Sequence, residues 1–172
     1  QNVLRGYAAA DPDVGYTQSM NFIAGVFLIH LSEEEAYKAF TELMISDRIR
    51  HRFFFFEGFP RLQQADAMFE VLMRQQYPAI LETLENMGLS FVMYTPNWFL
   101  PAFQSFSWPP ELQLRLLDRF VFYGLRCLLS FGLVIISRHK NELLKGDMEL
   151  ALQRLQKPDE SPHMHDWRYV IK

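Results

Sequence analysis

A chain of 172 residues with 49% apolar and 15% aromatic side chains can bury a sizeable core, which excludes a disordered chain and favours one domain. A net charge of −3 excludes the strongly basic footprint of a nucleic-acid-binding protein. The single cysteine, Cys127, excludes an internal disulfide and fits a reducing compartment.

Asn2 to Ala10 places Val3, Leu4, Tyr7 and Ala8 on one side of a helix. Gly6 costs about 1 kcal/mol there relative to alanine, which close helix packing would explain. Asp11 to Asn21 is a polar turn that runs into an apolar segment. Pro12 biases Asp11 toward extended backbone, and Asp11 and Asp13 are placed to hydrogen-bond the backbone just after them. Met20, Ile23, Ala24, Phe27, Leu28 and Leu31 recur three or four apart. That spacing predicts a helix from near Tyr16 with these residues on one face. Tyr16 to Ser19 then fall where four backbone N–H groups lack partners, a setting suited to an anion or an oxygen-rich ligand. Gln18 is the polar residue of interest. Its amide can accept a proton of a water while donating to a phosphate oxygen, and its charge is independent of pH. Residue chemistry alone favours an ordinary solvated glutamine.

Ser32 with Glu35 forms a capping box, opening a helix to about Ile45 with Ala36, Ala39, Phe40, Leu43 and Met44 inward. Asp47 to Pro60 reads as irregular. Its Arg48, Arg50, His51 and Arg52 form a basic cluster before Phe53 to Phe56. A phosphate or membrane contact is one reading. The preferred one is a loop whose phenylalanines enter the core while its charges stay wet. Leu62 to Arg74 is amphipathic, and Pro78 opens a helix to Met87 that Gly88 stops. Thr95-Pro96 opens a helix containing Trp98, Phe99, Phe103 and Phe106. Pro109-Pro110-Glu111 starts another, which Gly124 breaks or bends. Leu125 to Leu144 reads as one long, central apolar helix with Cys127 buried in it. Asp147 to Leu155 is a short helix, Lys157 to His165 a polar loop, and Asp166 to Lys172 a final turn. About nine helices and no strand result, an all-α bundle.

The most apolar run, Phe120 to Ile136, contains Arg126 and falls short of the roughly 20 residues a membrane span needs. No signal peptide, Gly-x-Ser-x-Gly, phosphate-binding glycine loop or cysteine pair is present in these residues. His163-x-His165-Asp166 lacks further marked ligands and reads as solvated, not as a metal site.

The run Val14-Gly15-Tyr16-Thr17-Gln18-Ser19-Met20-Asn21 resembles the Tyr-x-Gln motif of the TBC domain, the module of Rab GTPase-activating proteins. That motif usually reads Gly-Tyr-Cys-Gln-Gly-Met-Asn. Thr17 stands for the usual cysteine. Ser19 stands for the usual glycine, adding a Cβ and a hydroxyl where glycine lets the backbone come close. Val3-Leu4-Arg5-Gly6-Tyr7-Ala8 is similar to the helix before the motif. Asn97-Trp98-Phe99-Leu100, Phe103, Pro110-Glu111-Leu112 and Arg115-Leu116-Leu117-Asp118 resemble the family's C-terminal signature, and Leu129 to Leu144 the helix after it. Trp98 and Asp118 are expected to hold helices together.

The resemblance implies a GTPase-activating protein whose partner is a Rab in its GTP-bound form. Two fingers act in trans, an arginine from an upstream Ile-x-x-Asp-x-x-Arg motif and the Tyr-x-Gln glutamine, which stands in for the GTPase's own. Gln18 maps to the glutamine finger. Tyr16, Thr17, Ser19 and Asn21 map to the partner-binding segment, with Tyr16 and Asn21 shaping it. No cofactor or metal belongs to the module, and no nucleic acid or transmembrane segment is implied. The arginine motif is absent from these residues, and Arg5, Arg48, Arg50 and Arg52 do not fit its pattern. The expectation is therefore one helical TBC-like domain over residues 1–172 lacking its N-terminal portion, weak or inactive by itself. It would be cytoplasmic, peripheral to endomembranes and engaged in vesicle trafficking. The competing reading is a non-catalytic helical module that binds a small GTPase or another partner.

Overall fold

Each apolar period becomes a helix in the computed structural model, which describes residues 1–164. Ten α-helices follow in chain order: α1 Asn2–Ala10, α2 Met20–His30, α3 Glu33–Ile45, α4 Pro60–Gln76, α5 Pro78–Asn86, α6 Thr95–Phe99, α7 Pro110–Tyr123, α8 Leu125–Arg138, α9 Lys140–Leu143 and α10 Met148–Gln156. Short 3₁₀ turns lie between some of them, and the described residues contain no strand. No helix among them is long and apolar enough to cross a membrane. The expected final turn from Asp166, and His165 and Asp166 of the His-x-His-Asp run, lie outside the described residues.

Several start and stop signals act as the sequence implies. Ser32 accepts from the Glu35 N–H while Glu35 accepts from the Ser32 N–H, the reciprocal cap of α3. Gly88, at φ +72°, closes α5, and the Leu89 N–H reaches back to the Leu84 carbonyl. Gly124, at φ +56°, separates α7 from α8. Gly6 lies against Tyr37 of α3, where an added Cβ would stand 3.0 Å from the ring.

Three helices differ from the expectation. First, the long helix from Leu125 ends at Arg138. His139 leaves helical geometry, and its Nδ1 bonds the Ile135 carbonyl at 2.8 Å in competition with the backbone ladder. This split accounts for ten helices in place of nine.

Second, α6 stops at Phe99, so Phe103 and Phe106 lie beyond it. Pro101 has no N–H to extend the ladder, and Ala102 and Phe103 are left-handed at φ +48° and +62°. The Phe103 N–H turns back to the Trp98 carbonyl at 2.7 Å.

Third, α2 starts at Met20, a turn later than Tyr16. Its inner face holds Met20, Ile23, Ala24 and Val26, while Leu28 and Leu31 are exposed.

The core is built around Trp98. It is fully buried, and its indole N–H donates to the Leu155 carbonyl of α10 at 2.8 Å. Tyr94, Phe69, Phe99 and Phe103 pack around it. Gly132 of α8 lies against this cluster, and a Cβ there would meet Phe69 at 2.9 Å and Trp98 at 3.3 Å. Gly132→Ala is expected to destabilise the fold. Overpacking of about 1–3 kcal/mol outweighs the gain in helix propensity of up to about 1 kcal/mol. A thermal melt checks this, since each kcal/mol lost lowers Tm by about 2–4 °C at this size.

Trp98 thus holds helices together as expected. Asp118 does not: it is exposed and pairs with no described residue. Burial raises the Cys127 thiol to about 11, so this half-buried cysteine behaves as an inert, small apolar group.

Candidate functional site

Asp11 to Ser19 leaves α1 as a turn stapled by its own backbone. The Asp11 carbonyl accepts from the Val14 and Gly15 N–H groups at 3.3 and 2.8 Å. Gly15 takes φ +63°, a left-handed conformation that glycine adopts without strain. Contrary to expectation, the Asp11 side chain does not bond the backbone that follows it. It is buried, accepts from the Tyr7 hydroxyl at 2.7 Å and pairs with Arg52 at 2.9 Å. Asp13 is exposed, 4.0 Å from the same guanidinium. Burial, with the Asp11 hydrogen bond and charge in support, pushes Tyr7 well above the usual phenol range, so it stays a donor.

Downstream, the Thr17 N–H meets the Met20 sulfur at 3.4 Å, and the Thr17 carbonyl accepts from the Met20 N–H. Ser19 caps α2 in left-handed geometry, φ +88° and ψ −25°, with no side-chain cap bond. The glycine usual at this motif position therefore answers a backbone requirement. Ser19→Gly relieves that strain and is expected to stabilise the protein by about 0.5–1 kcal/mol, net of the entropy glycine adds to the unfolded chain. Denaturant unfolding of the two forms checks it.

Gln18 is exposed and its side chain has no hydrogen-bond partner among the described residues. It stands beside a polar cleft of about 340 Å³, with Ser19 and Phe22 on one wall. Asn97 and Ser105 lie on a second, and Lys157 and Glu160 on a third. Tyr16 is 56% exposed, and Asn21 is exposed too. Neither bonds the segment, so the shaping expected of them falls instead to Tyr7, Asp11, Arg52 and Met20. The α2 N-terminus lies after Gln18, so the expected ring of free helical N–H groups around Tyr16 to Ser19 is replaced by a turn.

The basic cluster comes apart, with Arg52 turned to Asp11 and the other three members engaged elsewhere. His51 is fully buried, and its Nε2 donates to the Leu100 carbonyl at 2.9 Å. Burial lowers its pKa to about 4, so it is neutral near pH 7. Arg48 donates to the Val121 carbonyl and lies over Phe122. Arg50 pairs with Asp47 at 3.0 Å. Only half of the phenylalanine run enters the core, Phe54 and Phe55, while Phe53 is exposed and Phe56 half-buried. The Arg52 link to the Gln18 turn spans 41 positions, and no local pattern signals it. The i,i+4 spacing of Tyr7 and Asp11 at the end of a helix does carry a signal. The third wall of the cleft comes from a stretch that reads only as a polar loop.

A model of the Rab-GTPase-TBC domain family matches residues 1–144. The human ecotropic viral integration site 5 protein homolog is 32% identical over 165 residues, 96% of this chain and 20% of its own length. Rab GTPase-activating protein eat-17 of Caenorhabditis elegans is 31% identical over 156 residues, 91% of this chain and 17% of its own. GTPase-activating protein GYP5 of Eremothecium gossypii is 32% identical over 155 residues, 90% and 18%. The chain thus spans about a fifth of the length of these relatives. Among solved structures, the Chlamydomonas flagellar RabGAP TBC domain superposes with a TM-score of 0.77 at 23% identity, covering 98% of this chain and 55% of that one. That likeness establishes a shared fold.

Proposed function

This chain belongs to the Rab-GTPase-TBC domain family, and from that membership we propose that it serves as a GTPase-activating module for a Rab-type GTPase in its GTP-bound form. The chain acts as one domain of that module, helical over its described residues. The observation that carries the reading is the state of Gln18: an exposed amide without a partner among the described residues, beside a cleft, on a turn the fold holds from behind. An amide so presented can accept a proton of the attacking water and donate to a phosphate oxygen of the bound nucleotide. It does both without titrating. Tyr16, Thr17, Ser19 and Asn21 form the strip that a GTPase surface would cover around it. The nucleotide and its magnesium belong to the Rab. The module works in the cytoplasm at endomembranes, in vesicle traffic.

The test is single-turnover GTP hydrolysis by a panel of Rabs with the natural full-length protein, beside equilibrium binding to the same Rabs. Faster hydrolysis by at least one Rab supports the activator. Binding without any acceleration would establish the interaction module in its place.

A further inference from the structure

We propose that Arg52 and Asp11 are positioning residues that set where the Gln18 amide stands during hydrolysis, an inference that rests on the reading of Gln18 above. Gln18 has no side-chain partner among the described residues, so its place is dictated by the backbone that carries it. Upstream, that backbone is fixed at Asp11, whose carbonyl closes the turn at Val14 and Gly15. Asp11 is itself fixed on both carboxylate oxygens, Oδ2 by the Tyr7 hydroxyl and Oδ1 by Arg52 Nη2.

Arg52 comes from a different part of the fold, the 3₁₀ turn His51–Phe54 between α3 and α4. Its guanidinium lies over the Phe56 ring, 5.1 Å from the centroid, which holds its plane. Side-chain exposure of this pair is 25% and 10%, against 45% or more for each partner of the ion pairs on α3, α4 and the Lys157 turn. A shielded, charge-assisted pair of this kind holds its geometry, as an exposed pair does not. The buried His51 anchors the same 3₁₀ turn to the Leu100 carbonyl, so Arg52 reaches the finger turn from a fixed base.

The effect belongs to the rate and not to affinity. Arg52 lies behind the turn, and a shift of about 1 Å in a reacting group costs about 10²-fold. The natural full-length protein is assayed on a responsive Rab under saturating single-turnover conditions. Arg52→Met is expected to slow the saturated rate by about 10- to 100-fold, with the half-saturating concentration changed by less than about threefold. Arg52→Lys, which keeps the charge, should recover part of the rate. Added to Gln18→Ala, Arg52→Met should slow nothing further, because a misplaced amide and an absent one are equivalent. Amide hydrogen exchange reads the turn without any catalysis. Residues 14–19 should exchange faster in Arg52→Met, and the helices around Trp98 at the original rate.

Additive losses in the double variant would overturn the proposal, as would a loss confined to Rab binding or unchanged exchange in the turn. An effect of Gln18→Ala with none of Arg52→Met would sink the positioning role and leave the finger standing. No effect of Gln18→Ala would remove both, even with faster exchange in the turn.

Discussion

A polypeptide of these 172 residues is expected to accelerate GTP hydrolysis about 10³- to 10⁵-fold less than a natural full-length protein that supplies an arginine finger. Negative charge builds on the transferring phosphoryl group and the bridging oxygen, and a fixed guanidinium donates to both with no proton to lose. The resemblance assigns that group to an Ile-x-x-Asp-x-x-Arg motif, which these residues do not contain. The three arginines of the basic cluster are engaged within the fold. Arg48 holds the Val121 carbonyl and Phe122, Arg50 holds Asp47, and Arg52 holds Asp11. Releasing Arg52 would loosen the turn that presents Gln18. The deficit corresponds to about 4–7 kcal/mol of transition-state stabilisation. Single-turnover rates of the two polypeptides on one responsive Rab check it. Equal rates would mean that an arginine within these residues does the work.

Gln18→Ala in the natural full-length protein is expected to lower the saturated rate by about 10²- to 10³-fold, the cost of removing one preorganised polar group from a developing charge. Rab affinity should move only a few-fold, because the amide's contacts to the water and the phosphate tighten mainly in the transition state. The melting temperature should not move, since the side chain is exposed and bonds no described residue. A rate loss accompanied by a lower Tm would point to a structural role for Gln18.

The fold was largely legible because most helices carry their own punctuation. The Ser32 and Glu35 cap, Pro78 and Pro110 at helix starts, and Gly88 and Gly124 at ends all act locally. Periodicity failed where a tertiary or backbone effect overrode it. At His139 a side chain competes for a ladder carbonyl, and at Ala102 and Phe103 the chain turns left-handed without a glycine to announce it. The face of α2 was misjudged because an almost wholly apolar helix has little contrast between its sides, so Leu28 and Leu31 counted as core as readily as Val26. At the candidate site, the motif singles out Gln18, which the structure places exposed beside a cleft. The left-handed Ser19 was anticipated only as a departure from glycine. The Arg52 to Asp11 link was not legible, since it joins two turns that only the packed helices bring together.

The most direct measurement uses a Rab whose own water-positioning glutamine is replaced by alanine, assayed with the natural full-length protein carrying Gln18 or Gln18→Ala. If Gln18 acts in trans, the crippled Rab is still strongly stimulated by the first protein and not by the second. If stimulation vanishes with the Rab's own glutamine and is indifferent to Gln18, the GTPase orients its own water and the central claim is wrong.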